Sequence, residues 1–342
     1  GRCFMPHVTL KEVAEHVGVN VATASRALSP DKNSLVSAAT RRRVLEAAET
    51  LGYRGNQQAS ALRRGRTGII GVIVADISNP FIGPVLRGIA GGLGGQGLLP
   101  IMTETRDSSE ELARICDRLL AQRVDGIICA AGRQGDQSVL KRLSKEIPTV
   151  LAVRQWPNSG ITTVSADDIM GGRLAAEHLL ELGHTRVAQL VGPQDIGSFA
   201  GRTQGFSRAI ADAGVESIMV DDVIRLPTLD AGRLLMETLL EQAGSDLPTA
   251  VFAQNDSIAI GAMHLASERA LRCPDDISIV GYNDVPLTAH LTPALTTVKL
   301  PAYEMGRLAA QLVATLIDDP EQSAHTVTLA PELIVRQSTR AV

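Results

Sequence analysis

Residues 9–27 constrain the fold of this chain most strongly, because they have the pattern of two short helices joined by a tight turn: TLKEVAEHVGVNVATASRA. Thr9 and Glu12 have the spacing of a capping box, in which the two side chains satisfy free backbone N–H groups at the start of a helix. The helix that follows has apolar residues at i, i+3, i+4 and i+7, which give it one apolar face. Gly18 supplies the turn, and Asn20 is placed to cap a second helix.

The second helix divides its side chains between two faces. Ala24 and Leu28 can face inward. The exposed face carries Val21, Ala22, Ser25 and Arg26. A third helix is predicted between Ser37, its cap, and Gly52, its stop. Three short helices with a glycine turn between the first two describe a helix-turn-helix, whose second helix enters the DNA major groove. Periodicity alone leaves open a small helical bundle without a ligand.

Charge favours the DNA-binding interpretation. Up to Arg66 the chain has eleven Lys and Arg against five Asp and Glu, a net charge of +6. The whole chain has a net charge of −4, so the remainder carries −10. A basic amino-terminal module on an acidic body is expected of a chain with one nucleic-acid-binding end.

From Ile69 onward the pattern changes to alternating strands and helices. Short, nearly continuous apolar runs are typical of parallel strands covered on both faces. The runs are IIGVIVAD, LLPIMTE, VDGIICA and PTVLAV, and then RVAQLVG, SIMVDD, TAVFAQN and ISIVGYN. Two successive series predict two doubly wound lobes, and ligands of such sheets bind beyond the carboxyl ends of the strands.

Several motifs in order resemble the lactose/galactose repressor (LacI/GalR) family of bacterial transcription regulators. They are VTLKEVAEHVGVNVATASRALS, VSAATRRRVLEAAETLGY and NQQASALRRGRTGIIGVIVADISNPF, followed by GRTQGF, FAQNDSIAIGAM, ISIVGYND and PALTTVKLP. The likeness covers nearly the whole chain. It implies an all-α helix-turn-helix headpiece at 8–54, a hinge helix at 55–66 and an α/β, two-lobed, periplasmic-binding-protein-like core at 67–342. The expected first lobe comprises 67–164 and 300–326, and the second comprises 165–299 and 327–342.

The resemblance and the side-chain chemistry together identify candidate DNA contacts. Arg26 can donate two hydrogen bonds to a guanine edge, and Val21 and Ala22 can pack on thymine methyl groups. The base-reading set is Val21, Ala22, Ser25 and Arg26, and the expected backbone contacts are Thr9, Asn20, Thr23, Lys32 and Arg41. In this family a hinge leucine wedges into the minor groove, and the matching residues are Ala59, Leu62 and Arg63. The alternative is that Leu62 only packs on the body.

The resemblance also places an effector between the lobes. The candidate residues are Phe81, Ile82, Arg154, Arg202, Asn255 and Asn283. Loop capping or lobe bridging is the alternative role for each. Val153 and Asn283 stand where many sugar-binding relatives have Asp, which leaves Arg154 alone and makes the cleft more cationic. We therefore expect a sugar, and among sugars favour an acid or a phosphate; a nucleoside is less favoured. Trp156 could stack on a ring or cover the surface, and surface cover is favoured.

The expected protein is a cytoplasmic, homodimeric repressor that binds near-palindromic operator DNA. No cofactor or metal is expected, because the His and Cys residues show no ligand spacing, and no run approaches the ~20 apolar residues of a membrane span. A glycine stripe from Gly88 to Gly95 predicts close helix packing, with a dimer interface as one location. A solute-binding protein for uptake would not need the basic headpiece. An α/β enzyme would need a clustered nucleophile, acid or base, and the motifs show none.

Overall fold

The computed structural model describes residues 8–28, 35–53, 66–156, 158–221 and 226–342. The chain divides into two compact units, Gly1–Thr67 and Gly68–Val342. We call them the headpiece and the core.

The headpiece has the three helices that the sequence predicts: α1 (Leu10–Val17), α2 (Val21–Leu28) and α3 (Ala38–Thr50). The Thr9 amide donates to Glu12 Oε2 at 2.6 Å, and the Glu12 amide donates to Thr9 Oγ1 at 3.3 Å, which completes the capping box. Gly18 ends α1 in the left-handed region at φ +70°. The Thr23 amide donates to Asn20 Oδ1 at 2.7 Å, so the cap of α2 is also confirmed.

Small apolar side chains form the headpiece core. The buried set is Val13, Ala14, Val17, Ala24, Ala27, Val44, Ala47 and Ala48. On α2 the second buried residue is Ala27, and Leu28, expected to face inward, is half-buried and packs against this core. Alanines at these positions let the helix backbones approach closely, which brings the buried faces together without large side chains.

The first sheet of the core has the strand order β11-β5-β4-β3-β1-β2. Its strands are β1 (Ile69–Val74), β2 (Leu99–Glu104), β3 (Gly126–Ala130), β4 (Thr149–Ala152), β5 (Thr162–Ala166) and β11 (Thr326–Leu329), all paired in parallel. Its helices are α4 (Ile82–Gly94), α5 (Ser109–Ala121), α6 (Gln137–Glu146) and α11 (Ala302–Asp318).

The second sheet has the order β12-β10-β9-β8-β6-β7. Its strands are β6 (Arg186–Leu190), β7 (Glu216–Val220), β8 (Ala250–Ala253), β9 (Ser278–Asn283), β10 (Thr296–Lys299) and β12 (Glu332–Ile334). Only the pairing of β12 with β10 is antiparallel among these strands. The helices are α7 (Asp168–Glu181), α8 (Gly197–Asp212), α9 (Leu229–Ala243) and α10 (Asp256–Glu268).

The chain passes between the two sheets after β5, after β10 and after β11. Residues 165–166 and 327–329, expected in the second lobe, instead pair in β5 and β11 of the first sheet. Strand β5 was not predicted, because its residues TTVSA form no apolar run. The stretch TVTLAPELI belongs to both sheets, because β11 ends before its proline and β12 begins after it.

The expectation that every strand is covered on both faces is wrong for β2. This strand is an edge strand whose Leu99, Ile101 and Met102 are 60%, 42% and 42% exposed. An apolar run therefore marks the strand correctly, but it does not distinguish an inner strand from an edge that another surface must cover.

Reciprocal glycines hold three pairs of helices in close contact. On α4 and α11, a Cβ at Gly88 would lie 2.0 Å from the Tyr303 carbonyl oxygen, and one at Gly306 would lie 2.0 Å from that of Val85. The same arrangement joins α7 to α8 through Gly172 and Gly205, and α9 to α10 through Gly232 and Gly261. The close packing predicted for the stripe is thus present at Gly88, within one chain; a role at a dimer interface stays a prediction.

No helix among the described residues has the length and apolar character needed to cross a membrane. Cys116 and Cys129 are free and buried, and burial raises the pKa of their thiols to about 11 and about 12. Both cysteines act as small core residues.

Candidate functional site

The outward face of α2 is the candidate base-reading surface. Val21 is 45% exposed, Ala22 and Arg26 are also exposed, and Ser25 is half-buried. Ala24 and Ala27 on the opposite face anchor the helix to the headpiece core. Arg26 forms no ion pair with any residue that the structure describes, so its guanidinium is available to an external acceptor.

The candidate backbone contacts fall into two groups. Thr9 and Asn20 already accept the capping hydrogen bonds of α1 and α2, while Arg41 is exposed on α3 and pairs with no described carboxylate. Arg43, two positions further along α3, donates from Nη2 to the Val17 carbonyl at 2.7 Å. Arg43 thus helps to fix α3 against the end of α1. Lys32, Ala59, Leu62 and Arg63 lie outside the described residues.

The candidate effector residues lie at carboxyl ends of strands in both sheets. Phe81 and Ile82 follow β1, and Arg154 follows β4. Asn255 follows β8, and Asn283 is the last residue of β9. All are buried, and so is Arg202 on α8. This is the edge at which open parallel sheets bind ligands.

Arg202 is held by a buried network of which the sequence indicated only one member. Its Nε donates to Asp168 Oδ1 at 2.9 Å and its Nη1 donates to the Gln254 carbonyl at 2.6 Å. The guanidinium carbon lies 3.9 Å from the centre of the Tyr282 ring, and the Tyr282 hydroxyl donates to the same Asp168 oxygen at 3.0 Å. Burial raises the pKa of Asp168 above its usual range, and Arg202 opposes that rise. Neither of these hydrogen bonds uses Nη2, so the donors of this nitrogen remain for a ligand.

The prediction that Arg154 is unpaired, made from Val153, is wrong. Arg154 pairs with a carboxylate from another loop. Its Nη2 donates to Asp107 Oδ2 at 3.2 Å, its Nη1 donates to Asp107 Oδ1, and Nη1 also reaches the Gly132 carbonyl at 3.2 Å. Asp107 is 47 positions away in the chain, so no local pattern indicated it. Since both cleft arginines have buried carboxylate partners, the expectation of a cationic cleft is wrong.

The two cleft asparagines have different environments. Asn255 caps α10, because its Oδ1 accepts from the Ile258 amide at 2.7 Å and its Nδ2 donates to the Pro227 carbonyl at 3.0 Å. Asn283 has φ +113°, and its buried Oδ1 has no hydrogen-bond partner among the described residues. An unsatisfied buried acceptor costs about 1–3 kcal/mol. Asn283 is therefore the stronger candidate for a ligand contact.

The apolar candidates and the tryptophan belong to the core packing. Phe81 and Ile82 begin α4 and are each 5% exposed. Trp156, expected to cover the surface, is 7% exposed and packs against Gly132 and Leu140. Its indole nitrogen is buried without a partner among the described residues.

Family models match two parts of the chain. Residues 9–56 match the model described as bacterial regulatory proteins, lacI family, and residues 176–339 match a periplasmic binding protein-like domain. The first match covers the headpiece helices, and the second covers most of the second sheet with α11.

Relatives match over almost the whole length. The HTH-type transcriptional repressor CytR of Escherichia coli K12 is 33% identical over 338 residues, covering 98% of this chain and 97% of the relative. A lac repressor dimer bound to operator and the anti-inducer ONPF has a TM-score of 0.86 at 27% identity, covering 98% and 100% of the two chains. A complex of the transcriptional regulator CelR with cellobiose has a TM-score of 0.72 at 30% identity, covering 97% and 100%.

Proposed function

Because the chain belongs to the lacI family of bacterial regulatory proteins, we propose that α2 reads operator DNA and that a small molecule bound in the core controls this reading. The family consists of DNA-binding transcriptional regulators, and this chain is one of them. The observation that carries the proposal is Arg26, which is exposed, has no ion pair with a described residue, and lies on a helix whose other face is buried. The proposed action is repression in the bacterial cytoplasm.

Base reading is assigned to Val21, Ala22, Ser25 and Arg26, whose positions on α2 support direct contact with base edges. Phosphate contacts are assigned to Thr9, Asn20, Thr23, Lys32 and Arg41. Minor-groove insertion is assigned to Ala59, Leu62 and Arg63. Phosphate contacts set the register of the protein on DNA, and base contacts supply specificity.

Selection from a randomised duplex pool identifies the operator, and Arg26→Ala then tests the reading. Loss of a bidentate arginine contact costs about 1–3 kcal/mol against the cognate site and relaxes specificity at one position. Arg41→Ala serves as the matched control, because it removes the same charge from a residue assigned to phosphate. Unchanged discrimination between cognate and scrambled duplexes in Arg26→Ala contradicts the assignment. Absence of any preferred sequence in the pool contradicts the function.

A homodimer is proposed to bind a near-palindromic operator, because a two-fold axis relates two headpieces to two half-sites. The exposed apolar edge of β2 supports a partner on this side of the core. Met102→Asp is expected to shift sedimentation from dimer to monomer and to weaken operator binding. If Met102→Asp remains a dimer, the dimer interface does not include the exposed edge of β2.

The proposed effector is a neutral, sugar-type molecule. Arg154 and Arg202 are each neutralised by a buried carboxylate, which removes the reason to expect a sugar acid or sugar phosphate. The Asn283 acceptor and the remaining Arg202 donor suit hydroxyl groups, which both donate and accept. The CelR relative is described with cellobiose, a neutral sugar.

Calorimetry with neutral sugars, sugar acids, sugar phosphates and nucleosides tests the proposed class of effector. Operator binding is then measured in the presence of each compound that binds. Asn283→Ala should weaken effector binding about tenfold, which corresponds to a loss of about 1.4 kcal/mol of binding free energy. Tight binding of only charged sugars or only nucleosides overturns the class. Since a ligand shifts an equilibrium by its differential affinity for two states, an effector that leaves operator affinity unchanged contradicts the regulatory role.

A further inference from the structure

A cavity lies between the two lobes of the core. It has a volume of about 790 Å³, within the range of small-molecule sites. The loop after β4 contributes Gln155 and Trp156, and β11 contributes Thr328. The starts of α7 and α8 contribute Asp168 and Ala200, so a bound molecule would touch both lobes.

This cavity is separate from the effector residues discussed above. None of Phe81, Ile82, Arg154, Arg202, Asn255 and Asn283 lines it. The carboxylate of Asp168 connects the cavity to the effector cleft, because Asp168 lines the cavity and also accepts a hydrogen bond from Arg202 Nε at 2.9 Å. A contact that displaces Asp168 would therefore move the guanidinium of Arg202.

The lining is polar but has little unpaired charge. Asp168 is paired with Arg202, Asp195 is paired with Arg133, and Asp167 caps α7 by accepting from the Met170 amide at 2.9 Å. No lysine or arginine is among the described lining residues, so the cavity offers an anion no permanently charged partner.

Amide groups dominate what remains of the polar lining. The glutamines that line the cavity are Gln134, Gln137, Gln155, Gln194 and Gln204. A primary amide both donates and accepts, and this suits hydroxyl groups better than a carboxylate or an ammonium group. Trp156 adds an aromatic side chain whose indole nitrogen is buried and has no partner among the described residues.

We propose that this cavity is a second binding site, for a neutral saccharide, and that its occupancy affects the effector cleft through Asp168. The binding itself is independent of the proposed function. The effect on the cleft rests on that function.

The position of Trp156 provides the assay, because it is the only tryptophan of the chain. Titration of the full-length protein with D-glucose and with cellobiose should change its fluorescence in a saturable manner, whereas glucose 6-phosphate should bind at least tenfold more weakly. Asn283→Ala, which alters only the cleft, should retain the response. Ala200→Phe places a ring in the cavity and should abolish it.

A second, smaller substitution keeps the test valid if Ala200→Phe does not fold. Gln204 is exposed on α8, so Gln204→Leu keeps the fold while it removes one amide, and a severalfold weaker response is expected. Operator binding by both variants checks the headpiece and separates this site from the proposed function. The proposal is overturned if neither neutral saccharide gives a saturable change, if both cavity variants respond as wild type, or if the phosphate binds more tightly. A response lost only in Asn283→Ala assigns the signal to the cleft.

Discussion

Arg133 and Asp195 join the two lobes of the core through an ion pair in which one guanidinium nitrogen meets both carboxylate oxygens. Arg133 Nη1 lies 2.7 Å from Asp195 Oδ1 and 2.8 Å from Oδ2. The Gln134 amide donates to the Asp195 carbonyl at 2.8 Å, so the backbones are joined as well. Nearby, a Cβ at Gly197 would lie 2.4 Å from the Gln155 carbonyl oxygen, which shows how closely α8 approaches the first lobe. These contacts stabilise the lobe arrangement seen here.

Arg133→Ala should loosen this junction. The Asp195 side chain is 45% exposed, so screening limits the loss to about 1 kcal/mol, or roughly fivefold in the lobe equilibrium. Faster hydrogen exchange at the Gln134 amide is the local measurement. Arg142→Ala is the matched control, because Arg142 and Asp117 form an exposed pair within the first lobe at 2.8 Å. Equal exchange in both variants would show that the ion pair does not restrain the lobes.

Gly88→Ala should destabilise the core, whereas Gly94→Ala on the same helix should not. The added Cβ at Gly88 would lie 2.0 Å from the Tyr303 carbonyl oxygen, so α4 and α11 must separate. Overpacking of this kind costs about 1–3 kcal/mol. At Gly94 nothing lies within 4 Å, and alanine is favoured over glycine within a helix. Thermal unfolding of the two variants tests this prediction, and equal unfolding midpoints would contradict the close approach of α4 and α11 at Gly88.

Local sequence rules predicted the elements that local contacts determine. Thr9 with Glu12, Asn20 and Ser37 cap the headpiece helices, since each cap needs only residues three positions apart. Most core strands were likewise found from their apolar runs. The polar strand β5 was missed because its burial comes from its neighbours in the sheet rather than from its own composition.

Contacts between distant residues could not be predicted in this way. Asp107 reaches Arg154 across 47 positions, and Asp168 reaches Arg202 across 34. Val153 gives no sign of the Asp107 partner, so Arg154 was predicted to be unpaired and the predicted charge of the cleft was wrong. Only the order of the strands brings these loops together, and that order is a property of the whole sheet.

Stability of the core should depend on the ionisation of Asp256. Burial raises the pKa of this carboxyl from its ordinary 3.8 to about 7, although Thr297 and the Val285 amide donate to it. The folded state then binds more protons than the unfolded state between these values. Its stabilisation is complete below about pH 4 and is lost as the pH rises to about 7, by at most about 4 kcal/mol.

Asp256→Asn removes this titration, so the free energy of unfolding of the wild type should fall relative to the variant as the pH rises from 4 to 7. Denaturant unfolding at several pH values measures the difference. Asp212→Asn is the control, because Asp212 is an exposed residue of α8. A constant difference between wild type and Asp256→Asn across this range would show that Asp256 is ionised throughout.

Arg41→Ala should weaken operator binding uniformly rather than change its specificity. Arg41 is exposed on α3 and has no described carboxylate partner, so its charge is available to a phosphate. Each lost phosphate contact lowers the slope of log affinity against log salt by about 1. Binding to cognate and scrambled duplexes over a salt series gives this slope. Arg208→Ala, which removes an equal charge from the core at its exposed pair with Asp212, should leave the slope unchanged. If both variants lower the slope equally, net charge rather than a contact at Arg41 explains the effect.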